Sequence, residues 1–163
     1  SDDPLAVARS FASMQTTDLH IVDLDGARSG DQENRDIIAA IAADSRPDLQ
    51  VHLVESDQRK AVFLRTVARE TGLSFRVHAV RAESLDPLDA DVLSARALAP
   101  LDRLLDLAKR HIRPGGLCLF PKGATWRDEV RTALARHAFR CEEVESSTAP
   151  HAVILKIGDI VRD

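Results

Sequence analysis

Hydrophobic residues along the chain fall alternately into short continuous runs and into helical spacings, and this alternation predicts strands and helices in turn. The predicted strands are the apolar runs at 19–24, 51–54, 75–80, 91–94, 117–120, 139–144 and 152–157. The predicted helices lie near 4–12, 34–43, 57–71, 98–112 and 126–136, where apolar residues recur every three or four positions. Strands alternating with helices of this length favour right-handed crossovers and a parallel sheet.

The last two predicted strands follow one another without a helix, which favours an antiparallel hairpin at the end of the chain. The sequence therefore predicts an α/β fold of the doubly wound, Rossmann-like kind, with a mostly parallel sheet and a C-terminal antiparallel strand. With 163 residues and no linker-like stretch, the chain is expected to form a single domain over 1–163.

Composition narrows the class of protein only slightly. Hydrophobic residues make up 44% and charged residues 29%, which is typical of a globular chain, and the net charge of −4 gives no basic stripe of the kind that binds nucleic acid. No apolar run approaches the roughly 20 residues of a membrane span, and no signal-peptide pattern opens the sequence. We expect a cytoplasmic chain without a membrane partner, in which Cys118 and Cys141 are buried free thiols.

Two acidic residues stand where a doubly wound sheet binds its ligand, at the carboxyl ends of the early strands. Glu55 follows the second strand, where an acid can accept both hydroxyls of a ribose. An equally good interpretation is a solvated carboxylate that helps to cap the next helix. Asp23 lies near the end of the first strand and either faces a cationic ligand or is tied to backbone donors.

Three further charged residues lie at the ends of later strands. Glu83 either bonds a cofactor amine or is an ordinary exposed acid, and Arg96 and Lys122 either meet phosphate or are ordinary surface cations. The histidines on the predicted strands lack metal-ligand spacing, so no metal is expected. The sequence also lacks a nucleophile elbow, a P-loop and a cysteine cluster.

Several linked motifs in the region 44–163 resemble one family. The stretch RPDLQVHLVESDQRKAVFLRTVARETGL, then VHAVRAESL, SARALAPLDRLLDLAKRHIRPGG, FPKG and STAPHAVILKI, is similar to the ribosomal RNA small-subunit methyltransferase G family (RsmG, or GidB). Members use S-adenosylmethionine to methylate guanine N7 in small-subunit ribosomal RNA. The resemblance implies a methyltransferase sheet, with Glu55 on the cofactor ribose, Ala82 and Glu83 beside its adenine, and Arg96 and Lys122 near the substrate edge.

The resemblance implies no catalytic residue, because guanine N7 already carries a free lone pair and the work is mostly orientation. It breaks after the first strand, where the family has a glycine-rich loop like GSGGGFPG and this chain reads VDLDGARSGDQEN. Asp23 falls where the family has a strand-end acid, and Gly26 is one of only two glycines left in the loop. Arg28 adds positive charge beside the place of a sulfonium cation.

The first part of the chain resembles a different family. DPLAVARSFASM, LHIVDLDGARSG and ENRDIIAAIA, within 3–42, are similar to a βα unit of HisA, the (β/α)8 isomerase family of histidine biosynthesis. A complete barrel needs about 250 residues, so that isomerase is not present. The two resemblances meet between Asn34 and Ala43, inside a predicted helix.

These observations favour an engineered or recombined chimeric scaffold of methyltransferase-like fold, without native activity because the loop that cradles the cofactor is replaced. Binding of S-adenosylmethionine is then expected to be weak or absent. One alternative is a working guanine-N7 methyltransferase with ribosomal RNA as partner. A second is a phosphate-binding module, with glycines of the 25–33 loop preceding a helix N-terminus. The sequence leaves the oligomeric state open.

Overall fold

The computed structural model describes residues 18–20, 50–71, 75–96, 98–146 and 151–161. The chain divides into two compact units, Ser1–Leu85 and Asp86–Asp163. The helices predicted near 4–12 and 34–43, the end of the first strand and the 25–34 loop lie outside the described residues. The single domain over 1–163 stays a prediction.

The first unit contains three parallel strands, β1 (Asp18–His20), β2 (Gln50–Val54) and β3 (Phe75–His78). β2 is central, because Leu19 lies opposite Val51 on one side and Phe75 lies opposite Val51 on the other. Val51 and Leu53 alternate with less buried neighbours, and the period of two gives β2 one fully buried face.

Helix α1 (Gln58–Thr71) follows β2. Its first turn is capped by Asp57, whose Oδ1 accepts hydrogen bonds from the backbone N–H groups of Arg59 at 2.8 Å and Lys60 at 3.2 Å. The helix buries Ala61 and Val67. Leu64 and Ala68, which follow Ala61 at helical spacing, are only half-buried.

The second unit contains strands β4 (Ala90–Ser94), β5 (Ile112–Lys122), β6 (Arg140–Glu145) and β7 (Val153–Gly158), with helices α2 (Leu101–His111) and α3 (Trp126–Leu134). β4 and β5 are parallel, and β7 is antiparallel to both β5 and β6. The predicted antiparallel end of the chain is confirmed. The final strand lies between β5 and β6, a position that the sequence pattern did not indicate.

The core of the second unit lies between α2 and the strands. Its largest fully buried side chains are Phe120, Leu101, Leu104, Leu105, Leu155, Ile157 and Cys118. Each large aliphatic side chain contributes roughly 1.5–3 kcal/mol by burial. The predicted helix 98–112 is longer than α2, because Leu98 precedes α2 and is exposed and Ile112 already belongs to β5.

The PGG sequence at 114–116 lies within β5, which begins before the predicted strand 117–120. There the register against β4 slips, with Ala90 opposite Ile112 and Val92 opposite Leu117. Gly115 has φ +76°, a left-handed conformation that glycine adopts at little cost. The segment is therefore an irregular stretch of strand, in which glycine permits the bend.

The two cysteines are both free, as expected, but only Cys118 is buried. Cys141 is exposed on β6, all six residues of which are exposed, so the prediction of two buried thiols is wrong for Cys141. Among the described residues, no helix is both long and apolar enough to cross a membrane.

Candidate functional site

In the first unit, the carboxyl end of β2 holds the best-defined of the predicted site residues. Glu55 is only 9% exposed. Its backbone N–H donates to the carbonyl of His78 at 3.0 Å, and its Oε1 accepts the backbone N–H of Asp57 at 2.7 Å. The acid is therefore held both to the neighbouring strand and to the turn that begins α1.

Glu55 and Asp57 make different contacts at the start of α1. The carboxylate of Asp57, and not that of Glu55, caps the first turn of α1. Glu55 uses one oxygen to hold the turn, and no described residue is hydrogen-bonded to its Oε2. A carboxylate oxygen can accept more than one hydrogen bond, so this arrangement leaves Glu55 able to bind a ligand hydroxyl.

A short 3-10 turn (Ala82–Ser84) follows β3 and carries the predicted adenine-side residues. Ala82 is half-buried, and the exposed Glu83 forms a 3.5 Å ion pair with Arg81. The Nε2 of Gln58 donates to the carbonyl of Ala79 at 3.1 Å, which ties the start of α1 to the chain after β3. Glu55 and this turn thus follow neighbouring parallel strands at the same sheet edge.

Asp23 and Gly26, the remaining predicted cofactor residues, lie outside the described residues. Two of the histidines on the predicted strands, His52 on β2 and His78 on β3, contact one another. Nδ1 of His52 lies 3.0 Å from Nε2 of His78, and the two rings stack with centroids 5.1 Å apart. In the part of the chain that the structure describes, no group of three or more His, Cys, Asp or Glu residues is placed to hold a metal ion.

In the second unit, a cavity of about 830 Å³ lies at the carboxyl ends of β4 and β5 and beside the start of β7. Arg96, Lys122 and Glu129 line it, together with Ala99, Pro100, Pro121, Gly123, Ala152, Val153 and Ile154. Volumes of this order are usual for sites that take small molecules or single groups of a larger ligand. The two predicted substrate-edge cations, Arg96 and Lys122, therefore share one cavity.

The structure distinguishes these two cations. Arg96 is exposed, whereas the Lys122 side chain is only 9% exposed. Nζ of Lys122 donates to Oε2 of Glu129 at 2.7 Å and to the carbonyl of Ala99 at 3.1 Å. Sequence reasoning missed Glu129, because an acid in the first turn of a helix is too common to indicate a buried partner.

The fold is that of methyltransferases. It resembles a SAM-dependent O-methyltransferase from Thermotoga maritima with a TM-score of 0.67 and 18% identity, covering 97% of this chain and 66% of that one. It also resembles the ribosomal protein L11 methylase of Lactobacillus delbrueckii subsp. bulgaricus, with a TM-score of 0.67 and 16% identity, over 95% of this chain and 76% of that one. These likenesses confirm the predicted Rossmann-like α/β fold.

The particular family follows from the sequence. The model of the family GidB, rRNA small subunit methyltransferase G, matches residues 37–156, and the chain belongs to that family. The ribosomal RNA small subunit methyltransferase G of Ruegeria pomeroyi is 51% identical over 126 residues, which are 77% of this chain and 62% of that protein. The protein of the same name from Rhodospirillum centenum is 53% identical over 111 residues, 68% of this chain and 51% of that protein. The chain thus spans about three-fifths of the length of the Ruegeria relative.

A second family model, that of the histidine biosynthesis proteins, matches residues 1–53. The two matched stretches overlap over 37–53, which includes most of β2. This match agrees with the resemblance of the first segment to a barrel enzyme.

The prediction of an engineered, inactive chimeric scaffold is wrong. The relatives at 51% identity are named as methyltransferases, and the family match extends from residue 37 to residue 156. The prediction depended on the 25–34 loop, which lies outside that matched stretch. It gave this loop more weight than the residues of the matched stretch. The expectation of weak or absent cofactor binding loses its basis with it.

Proposed function

We propose that this chain is a methyltransferase that uses S-adenosylmethionine to methylate guanine N7 in small-subunit ribosomal RNA. The observation that carries the proposal is the 51% identity to a ribosomal RNA small subunit methyltransferase G, over a stretch that includes both the Glu55 edge and the cavity beside Arg96. The cytoplasm, where ribosomes work, is the compartment that this substrate implies.

The cofactor would be held at the carboxyl ends of β2 and β3. Glu55 suits the ribose, because its Oε1 is fixed by Asp57 while Oε2 has no hydrogen bond to a described residue. Ala82 and Glu83 are proposed to lie along the adenine, where the Glu83 carboxylate can accept from the exocyclic amine. We propose Asp23 and Gly26 as further cofactor residues. When bound, S-adenosylmethionine supplies the electrophilic methyl group.

The substrate base would enter the cavity that Arg96 lines. Guanine N7 carries its own lone pair, so the chain needs no general base, and it acts by holding the base in line with the methyl group. Orientation of this kind depends on rigid walls, which the buried Lys122 and the start of β7 provide. The exposed guanidinium of Arg96 is suited to a phosphate of the RNA backbone.

We also infer that the segment matched by the histidine biosynthesis family supplies the first strand, β1, of the methyltransferase fold. β1 lies in that segment and pairs in parallel with β2, which supports this proposal. A buried strand followed by a helix suits either architecture. The origin of the segment does not prevent the chain from working as an enzyme.

The test is methylation of small ribosomal subunits that lack the modification, with tritiated S-adenosylmethionine and mapping of the labelled nucleotide. We expect label in one guanine and in a form that borohydride and aniline cleave, which is diagnostic of N7 methylation. Label at another atom would refute the proposed specificity. Absence of label, together with no calorimetric signal for the cofactor, would refute the enzyme.

A further inference from the structure

The N-terminus of α2 is capped by a residue from another helix. Pro100 precedes α2 and forms no side-chain cap. Instead, the backbone N–H of Leu101 donates to Oε2 of Glu129 at 2.9 Å, across 28 positions of sequence. A first-turn amide of a buried helix end needs such an acceptor, and a carboxylate also suits the positive end of the helix dipole.

Lys122 draws the same carboxylate oxygen into place. Its ammonium lies 2.7 Å from Oε2 of Glu129 and donates to the carbonyl of Ala99 at 3.1 Å. The lysine side chain is 9% exposed and that of Glu129 is 25% exposed. A charge so far removed from water is tolerated only with good partners, so Lys122, Glu129 and the backbone of 99–101 stabilise one another.

These contacts fix one end of the segment that follows β4. Ala95, at the start of the segment, is buried, and Leu101, at its end, is fully buried. Arg96 lies between the two anchors and on the wall of the cavity. The carbonyl of Ala99, which Lys122 holds, is only three residues from Arg96. The pair thus fixes the backbone at Ala99 and Leu101, which lie three and five residues after Arg96.

We propose that Lys122 and Glu129 are positioning residues that set the place of Arg96 on the cavity wall, and so the affinity for RNA. This inference rests on the proposed function. It differs from the substrate-edge role first expected for Lys122, because the ammonium acts on the protein backbone. A residue that acts through Arg96 should change the KM for RNA and leave the KM for the cofactor unchanged.

The experiment uses the full chain with Glu129→Ala, Lys122→Met and Lys122→Arg. The matched control is Asp128→Asn, since Asp128 on the same helix pairs with Arg131 at 3.1 Å while both side chains stay more than two-thirds exposed (72% and 79%). We expect Glu129→Ala and Lys122→Met to raise the KM for RNA by about tenfold, of the order expected for losing one charge-assisted hydrogen bond. Lys122→Arg, which keeps donors for both acceptors, should recover most of the loss.

Two further readouts separate positioning from a general loss of stability. Hydrogen exchange of the Leu101 amide should accelerate in Glu129→Ala and stay unchanged in Asp128→Asn. In an Arg96→Ala background, Glu129→Ala should have little further effect on the KM for RNA. Fully additive effects, or equal rises in the KM for RNA and for the cofactor, would overturn the proposal.

Failure of the proposed function would be recognised separately. If the unaltered chain methylates no RNA, the Kd for a small-subunit RNA fragment is measured by filter binding instead. The four chains compared are the unaltered chain, Arg96→Ala, Glu129→Ala and the double variant. Non-additivity between Arg96 and Glu129 in that Kd supports the positioning role. An RNA affinity indifferent to these variants, or no RNA binding at all, overturns it.

Discussion

The backbone N–H of Asp57 donates to Oε1 of Glu55 at 2.7 Å, so the residue that caps α1 also orients the acid that follows β2. The two neighbouring acids therefore have different tasks. Asp57 accepts from the backbone N–H groups of Arg59 and Lys60, while Glu55 is fixed through Oε1 and no described residue is hydrogen-bonded to its Oε2. This division underlies the first two predictions.

Glu55→Gln is expected to weaken binding of S-adenosylmethionine roughly 10- to 100-fold, because hydrogen bonds to a charged acceptor are worth about 1.5–3 kcal/mol. Isothermal titration calorimetry gives the Kd directly. Asp57→Ala is the control, since it removes the helix cap and leaves the Glu55 carboxylate in place. If both variants lower stability and neither changes cofactor affinity, Glu55 has only a structural role.

The cap predicts a pH dependence of stability. Hydrogen bonds from the backbone N–H groups of Lys60 and Arg59 hold the pKa of Asp57 below its ordinary value of 3.8. A lowered pKa in the folded state means that the stabilisation is complete above pH 3.8 and is lost as the pH falls through the folded-state value. Urea unfolding of Asp57→Asn should therefore lack this acid-induced loss. A pH profile identical to that of the unaltered chain would contradict the assignment.

The sequence predicted most of the described elements, because hydrophobic residues recur at a period of two in the strands and of about 3.6 in the helices. β2, β3 and β4 begin within a residue of the predicted starts, and α1 begins where the Asp57 cap places it. Lys122 was different. Its burial depends on Glu129, seven residues later and in another element, and no local pattern reports such a pairing.

The strand order and the PGG segment also needed the structure. Hydrophobic patterning shows that β6 and β7 are strands, but it does not show which of them pairs with β5. At 114–116, proline and glycine indicate a break in regular structure without distinguishing a turn from an irregular strand. The cofactor edge was predicted at Glu55 because ligand sites at strand ends follow from the fold class, and that assignment stays a prediction.

Gly116→Ala is expected to destabilise the chain by about 1–3 kcal/mol, the usual cost of overpacking. An added Cβ would lie 2.5 Å from Cγ1 of Ile112 and 3.0 Å from the backbone carbonyl oxygen of Asp91. Gly123→Ala is the matched control on the same stretch of chain, because its Cβ would meet nothing within 4 Å. Urea unfolding of the two variants should differ clearly. Equal stabilities would mean that β5 approaches β4 less closely at Gly116.

The two thiols are expected to differ in reactivity. Burial raises the pKa of Cys118 to about 12, and no appreciable thiolate forms at neutral pH. Cys141 is exposed on β6. Its surroundings still remove part of the water around the thiol, and this partial desolvation, followed by the charge of Glu143, raises the pKa of Cys141. A native chain should therefore consume one equivalent of Ellman's reagent, slowly at pH 7 and faster as the pH rises, and Cys141→Ser should abolish the reaction.

The contribution of Glu143 can be tested by itself. Residues 141 and 143 lie on the same face of β6, since side chains alternate along a strand, so Glu143→Gln removes a negative charge beside the thiol. The pKa of Cys141 should fall and its labelling at pH 7 should accelerate. Glu142→Gln is the control, because Glu142 points to the other face and pairs with Lys156 at 3.2 Å. Equal acceleration by both variants would show that net charge, and not the neighbouring carboxylate, governs the thiol. Release of a second equivalent only in denaturant would confirm that Cys118 is shielded by the folded core.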